Sequence, residues 1–216
     1  MKLLLTSAGL KNQTITNSLF ELLGKSASET KVVFIPTAAN IFGDDKGWLI
    51  KNYRELQDLR FASVDICDIS AVPKENWQPR IEIADLIIVG GGDTFYIEKW
   101  VREAGLAEML PELLKTRVYM GISAGSMIAG KKILAKEQEY YEEGTGAEDI
   151  NSLGFIDFII FPHYNSSDFP KINAENMQSL ADQTGEQIYA LDDNSAIIVD
   201  GDKTEVVSEG KWEKFE

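Results

Sequence analysis

Several residue types are scarce in this chain, and each scarcity excludes a class of protein. Its 216 residues include one cysteine, Cys67, so no disulfide can form within the chain, as is typical of proteins from a reducing compartment. The chain also has one histidine, His163, and a zinc site needs more Cys and His ligands than these two residues supply. We therefore predict that the protein holds no metal.

Basic residues are also few. Lys and Arg total 21 against 35 Asp and Glu, which gives a formal net charge of −14, and no basic cluster interrupts the acidity. Nucleic acids and anionic membranes attract proteins through basic patches, so neither is an expected partner. No segment approaches the roughly 20 apolar residues that a membrane-spanning helix needs. The leucines at residues 3–5 form too short a run for a signal peptide, and we predict a cytoplasmic protein.

The apolar content, 44%, is sufficient for a large core, and the length fits a single domain over residues 1–216. Short apolar runs alternate with longer amphipathic stretches, the pattern of β-α-β units on a largely parallel sheet. The predicted strands are residues 2–6, 31–35, 63–68, 86–89 and 117–121. The predicted helices, with apolar residues three and four apart, are residues 16–25, 48–59, 94–104 and 107–114.

The pattern changes in the second half of the chain. The predicted elements there are a strand at 132–135, an exposed acidic loop at 136–149, a strand at 155–161, a helix at 173–181 and strands at 188–191, 196–199 and 205–207. Asp200 and Gly201, between the last two strands, are typical of a hairpin turn. The sequence thus predicts a three-layer α/β fold: a mostly parallel central sheet flanked by helices, with antiparallel strands at its C-terminal edge.

Residues 121–125 read Gly-Ile-Ser-Ala-Gly, directly after a predicted strand. The G-x-S-x-G spacing is typical of a sharp strand-to-helix turn that exposes the hydroxyl of its central serine, here Ser123. Glycine suits both flanks because a side chain there would crowd a strained backbone. A serine that only caps the following helix is the alternative interpretation. The strand–turn–helix setting favours a nucleophile.

A nucleophilic serine needs a base that works near neutral pH, and histidine is the side chain best suited to it. His163 is the only histidine, and it follows the apolar run 155–161. A single histidine is often just a packed or solvent-facing residue. If Ser123 acts as a nucleophile, however, the choice of His163 as base is forced.

A serine–histidine pair is usually completed by a carboxylate that orients the imidazole. Asp192 and Asp193 directly follow the predicted strand 188–191, which would project them toward the carboxyl edge of a sheet. The alternative is that both begin a turn with the asparagine after them. Glu137 and Glu139, in the acidic stretch, compete for the same role.

Three glycines at residues 90–92, followed by Asp93, separate an apolar strand from a predicted helix. Their spacing fits neither the dinucleotide-binding fingerprint nor the P-loop. We predict that the backbone N–H groups of Gly92 and Ala124 form an oxyanion hole, because bare amides beside the serine turn would face a developing negative charge. An ordinary glycine turn is the alternative for the other two glycines.

Three blocks of the chain together resemble the peptidase E family of serine peptidases, which has the class I glutamine-amidotransferase-like α/β fold. They are Val-Gly-Gly-Gly-Asp-Thr-Phe at 89–95, Tyr-Met-Gly-Ile-Ser-Ala-Gly at 119–125 and Phe-Pro-His-Tyr at 161–164. The resemblance spans essentially the whole chain. It implies Ser123 as nucleophile, His163 as base, and Gly92 with Ala124 as oxyanion donors.

The resemblance also bears on the third residue and on the substrate. It implies Asp193 as the acid, where related enzymes often carry glutamate, and Asp93 and Lys171 as substrate-binding residues. Members that cleave after an N-terminal aspartate use an arginine beyond the histidine, whereas residues 166–177 here contain only Lys171. Lysine lacks the two-pronged contact that arginine makes with a carboxylate, so strict aspartyl specificity is not expected.

These observations lead to one expected function and several alternative functions. We expect a serine peptidase that hydrolyses short peptides and, since water completes the reaction, needs no cofactor. The rivals are a catalytically silent protein that binds a small ligand on the same fold, and a cyanophycinase-like hydrolase. An esterase of the α/β-hydrolase type is disfavoured because that fold places the acid between serine and histidine. Oligomeric state is not indicated by the sequence.

Overall fold

A computed structural model describes residues 1–141 and 148–216. Its strands are β1 (Lys2–Thr6), β2 (Lys31–Ile35), β3 (Ser63–Ile66), β4 (Leu86–Val89), β5 (Val118–Ile122), β6 (Lys132–Ile133), β7 (Ile150–Asn151), β8 (Ile159–Pro162), β9 (Ile188–Leu191), β10 (Ser195–Asp200), β11 (Lys203–Ser208) and β12 (Trp212–Phe215). Its helices are α1 (Gln13–Leu23), α2 (Gly47–Asp58), α3 (Lys74–Glu82), α4 (Thr94–Glu103), α5 (Leu110–Leu113), α6 (Ala124–Met127), α7 (Lys136–Tyr141) and α8 (Ala174–Thr184). In this described part of the chain, none of the helices combines the length and apolarity needed to span a bilayer.

The central sheet runs in the order β11-β10-β1-β5-β4-β2-β3. The five strands from β1 to β3 in that order are parallel to one another, whereas β10 and β11 add an antiparallel edge. The predicted fold class is confirmed. Because parallel strands share a carboxyl edge, Thr6 at the end of β1 lies opposite Ile122 at the end of β5. That edge is where the serine turn begins.

Both faces of the central sheet are covered. In β4, Ile87 and Val89 belong to one apolar cluster, and Leu86 and Ile88 belong to the cluster on the other side. All four side chains are fully buried. This explains why β4 is a continuous apolar run instead of an alternating one, since a strand in the middle of a three-layer fold has no solvent face.

The C-terminal strands divide between two sheets, which corrects the expected grouping of all three at one edge. β9 forms at the predicted residues, but it pairs in parallel with β8 and antiparallel with β12 in a separate sheet. Helix α8 covers this sheet, and Met177 and Leu180 pack with Ile188 in its own apolar cluster. Only β10 and β11 therefore extend the central sheet.

Several predicted boundaries also change. The helix expected at 107–114 is reduced to α5, whose second residue is Pro111; proline fits only the first turn of a helix. The strand expected at 155–161 is confined to β8, because the N–H groups of Phe155 and Ile156 bond to the carbonyl of Ala129 instead. Helix α3, which carries Pro79 in its interior, and β12 were not predicted.

The acidic stretch at 136–149 was expected to be an exposed loop, and its first part is different. Residues 136–141 form α7, in which Glu137 and Tyr140 are buried. Residues 142–147 lie outside the described residues. The burial of a glutamate within this stretch becomes important for the site.

Candidate active site

Ser123 occupies a strained turn between β5 and α6. Its backbone has φ +50° and ψ −113°, outside the regions that side-chain-bearing residues normally adopt. Gly125 permits the turn, because a Cβ atom there would come within 2.0 Å of the carbonyl oxygen of Val89. The helix that follows is a single turn of four residues. It is therefore too short for a helix dipole to contribute much at Ser123.

Hydrogen bonds from β1 hold the turn in place. The Ser123 N–H and the Ser126 hydroxyl both donate to the carbonyl of Thr6, at 3.1 and 2.8 Å. The Thr6 hydroxyl donates in return to the carbonyl of Gly121 at 2.8 Å. The end of β1 thus fixes the serine turn from the neighbouring strand.

His163 directly follows β8, and its side chain extends toward Ser123. Its backbone φ is +64°, and its Nε2 atom lies 3.0 Å from the Ser123 hydroxyl oxygen. The ring of Phe169 stacks on the imidazole, with centroids 4.9 Å apart and planes inclined by 27°. An aromatic ring therefore supports one face of the imidazole, and the Nε2 atom at the imidazole edge faces the Ser123 hydroxyl.

The other ring nitrogen of His163 faces Asp193. Nδ1 lies 2.6 Å from Asp193 Oδ1, and this hydrogen bond holds the pKa of the Asp193 carboxyl below its ordinary value. Asp192, by contrast, supports the turn: it accepts bonds from the Ser195 hydroxyl at 2.6 Å and the Lys211 N–H at 2.6 Å. The two adjacent carboxylates therefore have separate surroundings.

Glu137 and Glu139 occupy other positions than the imidazole edge. Glu137 Oε1 accepts a bond from the Leu134 N–H at 3.0 Å, and its side chain is buried. Glu139 is exposed and pairs with Lys136. Within the described residues, His163 has a carboxylate contact to Asp193 alone.

The glycine loop after β4 lies against the serine. A Cβ atom on Gly91 would lie 3.2 Å from the Cβ atom of Ser123. Gly92 has φ +128°, and a Cβ atom there would come within 2.2 Å of the Ala38 carbonyl oxygen, so a side chain is excluded. Over the described part of the chain, the N–H groups of Gly91, Gly92 and Ala124 donate to no protein acceptor. They remain available to an oxygen atom near Ser123.

A cavity of about 300 Å³ opens beside these groups, and its described lining includes Ser123, His163, Asp193 and Gly92. Five further lining side chains are aromatic: Phe42, Trp48, Phe95, Tyr141 and Phe169. Phe42 and Trp48 are 40% and 38% exposed, so apolar surface remains open at the mouth. The cavity can accommodate a small substrate with apolar contacts around a polar reacting centre.

Comparison with known proteins now adds to this geometry. The chain matches the peptidase family S51 over residues 3–207, which is nearly its whole length. The chain belongs to peptidase family S51. Relatives include a protein named peptidase E from Shewanella amazonensis, 31% identical over 179 residues, which are 79% of this chain and 72% of that protein. An uncharacterized peptidase from Listeria monocytogenes is 24% identical over 200 residues, covering 89% of this chain and 96% of that protein.

Solved structures agree with the S51 fold. A peptidase E candidate from Listeria monocytogenes EGD-e superposes with a TM-score of 0.79 at 24% identity, covering 97% of this chain and 98% of that one. A peptidase from an acI-B1 Actinobacterium gives a TM-score of 0.72 at 18% identity, covering 98% and 88%. At these identities the likeness is one of fold.

Asp93 and Lys171 were predicted to bind substrate in this S51 chain, and only Asp93 lies in the described lining of the cavity. Asp93 lines the cavity and caps α4, with Oδ1 accepting from the Tyr96 N–H at 2.6 Å. Burial raises the pKa of its carboxyl. Lys171 is not among the described residues of the lining, and its amino group donates to the carbonyl of Glu139 at 3.0 Å. The lysines of the lining are Lys11 and Lys46.

Sequence reasoning missed Ser7, which contacts both His163 and Asp193. Its hydroxyl accepts from the His163 N–H at 2.8 Å and lies 3.3 Å from Asp193 Oδ1. A signal was available, because Ser7 directly follows β1 and so lies at the same carboxyl edge as Ser123. Phe169 was also missed. Nothing in its local sequence indicates that it stacks on an imidazole.

Among residues 1–141 and 148–216, no group of three or more His, Cys, Asp or Glu side chains is placed to hold a metal ion. What the site contains is a hydroxyl, an imidazole, a carboxylate and backbone amides around one cavity.

Proposed function

We propose that this S51 protein is a serine peptidase that hydrolyses short peptides through Ser123, His163 and Asp193. The observation that carries the proposal is the continuous contact from the Ser123 hydroxyl to His163 Nε2 at 3.0 Å and from His163 Nδ1 to Asp193 at 2.6 Å. Such an order of hydroxyl, imidazole and carboxylate activates a serine toward a carbonyl carbon. The strained backbone at Ser123 adds support, since such strain concentrates at functional sites.

The acid assignment determines which nitrogen of His163 acts as base. The Asp193 carboxylate, with its lowered pKa, accepts a hydrogen from Nδ1, which leaves the Nε2 lone pair facing Ser123. His163 then takes the hydroxyl proton as Ser123 Oγ bonds to the peptide carbonyl carbon. The carbonyl oxygen becomes negative, and the N–H groups of Gly92 and Ala124 donate to it.

The same groups complete the reaction. Protonated His163 gives its proton to the departing amine, and the C–N bond breaks to leave an acyl group on Ser123. A water molecule then gives a proton to His163 Nε2 and attacks the ester carbon. The returned proton restores the Ser123 hydroxyl as the acid product leaves.

Short peptides are the favoured substrates because the cavity is small. A volume of about 300 Å³ is at the lower end for small-molecule sites. Aspartyl specificity is not supported. In the described lining, Lys11 is paired with Glu55 at 3.2 Å and Lys46 is paired with Asp44, so both amino groups already have carboxylate partners.

The proposal extends to the organisation of the chain. Ser7, Ser123 and Asp193 come from near the start, middle and end of the sequence, which supports one domain over residues 1–216. The buried free thiol of Cys67 suits a cytoplasmic setting.

The decisive experiment compares Ser123→Ala with the wild type on dipeptide and tripeptide substrates. Removal of the nucleophile is expected to lower kcat by several powers of ten, roughly 10⁴-fold or more. The matched control is Ser179→Ala, an exposed serine of α8, which is expected to retain wild-type rates. Equal rates in Ser123→Ala and wild type contradict the proposal. Substrate binding without turnover in the wild type favours the silent ligand-binding protein instead.

A further inference from the structure

Glu137 has a buried carboxyl oxygen that the proposed chemistry does not use. The residue lines the cavity and is 2% exposed. Its Oε1 accepts the Leu134 N–H, an arrangement typical of a carboxylate that caps a helix start. Its Oε2 is buried with no hydrogen-bond partner among the described residues. Helix capping accounts for the hydrogen bond of Oε1. It does not account for the burial of Oε2, because a capping glutamate ordinarily leaves its second oxygen in contact with water.

Glu137 lies on the histidine side of the cavity. Tyr141, one turn further along α7, donates from its hydroxyl to the carbonyl of Pro162 at 3.1 Å, directly before His163. The Tyr141 ring also packs against Phe169, with centroids 5.3 Å apart, and Phe169 stacks on His163. Glu137 and the reacting centre therefore line the same cavity, and they are connected through Tyr141 and Phe169.

Among the described residues, no cation acts to lower the pKa of Glu137. Burial, and to a smaller extent the nearby carboxylate of Asp149, raise the pKa of its carboxyl to about 8. Tyr141, on the same helix, has its own pKa raised by burial and by Glu137. Residues 142–147, which lie outside the described structure, contain two glutamates and no lysine or arginine. The Glu137 carboxyl is therefore mostly protonated at neutral pH, and a cation on a bound molecule would stabilise its ionised form.

The charged residues in the rest of the described lining also favour a cationic ligand. Its carboxyl groups are Asp44, Asp93, Glu137, Asp168 and Asp193, whereas its lysines are Lys11 and Lys46, both paired with carboxylates. Asp93 also keeps one buried oxygen, Oδ2, without a partner. The described lining thus offers more carboxyl groups than lysines to a bound molecule, which favours a cationic group over an anionic one.

We propose that Glu137 binds a cationic group of the substrate, either the α-ammonium of an N-terminal residue or a basic side chain. This inference rests on the proposed peptidase function and names its substrate class. A bound ammonium or guanidinium donates a charge-assisted hydrogen bond to Oε2 and supplies the missing counter-charge. Below about pH 8, binding converts the neutral acid to a carboxylate and releases its proton to solvent, so charge and protons balance.

The test measures binding to the Ser123→Ala protein, in which turnover is blocked. The probes are the C-terminal amides of alanyl-alanine, N-acetyl-alanyl-alanine and N-acetyl-lysyl-alanine, of which only the first and third carry a charge; they are titrated calorimetrically at about pH 7 in two buffers of different protonation enthalpy. Binding of a cationic probe is expected to release about one proton, because most of Glu137 is then protonated. A stronger affinity for alanyl-alanine than for the acetylated lysyl peptide identifies the α-ammonium, and the reverse order identifies the side chain. The neutral peptide is expected to bind weakly with no release.

A second variant assigns the effect to this residue. Glu137→Gln, added to Ser123→Ala, is expected to weaken binding of the cationic probe roughly 10-fold or more and to abolish proton release. The matched control is Glu139→Gln on the same helix, an exposed glutamate paired with Lys136, which is expected to change neither. Proton release in the protein with Glu137 intact can be measured even if the substituted protein does not fold.

Two results overturn the inference. One is equal affinity for the neutral peptide and both cationic probes without proton release; such behaviour fits a neutral Glu137 that donates a hydrogen bond to a carbonyl. The other is unchanged binding in Glu137→Gln. Either result leaves Ser123-dependent hydrolysis intact if the proposed function is correct. Hydrolysis that persists in Ser123→Ala, by contrast, contradicts the proposed function and does not by itself contradict cation binding at Glu137.

Discussion

Ser7 connects the two ends of the His163–Asp193 unit through one hydroxyl group. The oxygen accepts from the His163 N–H at 2.8 Å, and its hydrogen is directed to Asp193 Oδ1 at 3.3 Å. Since Ser7 is fully buried at the end of β1, it ties the histidine loop and the Asp193 turn to the central sheet. Ser7 is thus a positioning residue for a pair that comes from a different, smaller sheet.

Ser7→Ala is predicted to lower kcat by on the order of 10-fold and to change KM little, because it loosens the imidazole and removes only one oxygen atom from the cavity lining. The unfolding free energy should fall by about 1–3 kcal/mol, since the His163 N–H loses its acceptor. Steady-state kinetics and urea unfolding measure the two effects separately. A rise in KM with kcat unchanged assigns Ser7 to substrate binding instead.

The two neighbouring aspartates are predicted to respond in opposite ways. Asp193→Asn should reduce kcat roughly 10⁴-fold with little change in Tm, because the amide favours the wrong imidazole tautomer. Asp192→Asn should lower Tm and leave kcat of the folded protein nearly unchanged, since Asp192 accepts bonds from Ser195 and Lys211 within the turn. Kinetics and thermal unfolding of both variants provide the measurement. A large kcat loss in Asp192→Asn alone reverses the assignment of the acid.

Phe169 is predicted to act through the orientation of His163. Phe169→Leu keeps an apolar side chain and removes the stacked ring, so kcat should fall several-fold more than KM changes. Phe169→Tyr keeps the ring and should restore most of the rate, which a role in folding alone does not require. Equal losses in both variants contradict a role for the stack.

Glu137 makes stability depend on pH in a direction that its burial determines. Its folded pKa, about 8, is higher than the ordinary value of 4.5, so between these values the folded state binds more protons than the unfolded state. Its contribution to stability therefore falls as pH rises through this window and levels off above it. Glu137→Gln should remove this dependence and gain, relative to wild type, on the order of a few kcal/mol between about pH 5 and pH 9.

Urea unfolding at the two pH values measures that gain. Glu139→Gln serves as the control, because Glu139 is exposed and should show no comparable gain. Wild-type and Glu137→Gln proteins whose stabilities change in parallel with pH show that the carboxyl is ionised in the folded state.

The sequence predicted the position of a residue well where that residue directly follows a single recognisable strand. Leu86–Val89 and Ile188–Leu191 form strands at the predicted residues, because short apolar runs bounded by glycine or aspartate have few other structures open to them. Ser123, His163 and Asp193 each follow such a strand, and the structure brings them together. Their convergence required no knowledge of loop conformation.

Features that depend on packing between distant segments could not be predicted from the sequence of any one segment. The pairing of β8 with β9 in a separate sheet depends on the apolar cover from α8, and neither strand encodes its neighbour. Glu137 lies in an acidic stretch that favours exposure, and only the packing of α7 beside the cavity buries it. Lys171 shows the converse, since its position after the histidine does not place it in the described lining.

The central claim is that Ser123 is activated by His163, and covalent labelling tests it most directly. Wild-type protein is treated with a fluorophosphonate, digested and analysed by mass spectrometry, with His163→Ala as the matched comparison. We predict a single phosphonylated peptide that carries Ser123 in the wild type, with labelling slowed by several powers of ten in His163→Ala. An unmodified Ser123, or equal labelling with and without the imidazole, contradicts the claim.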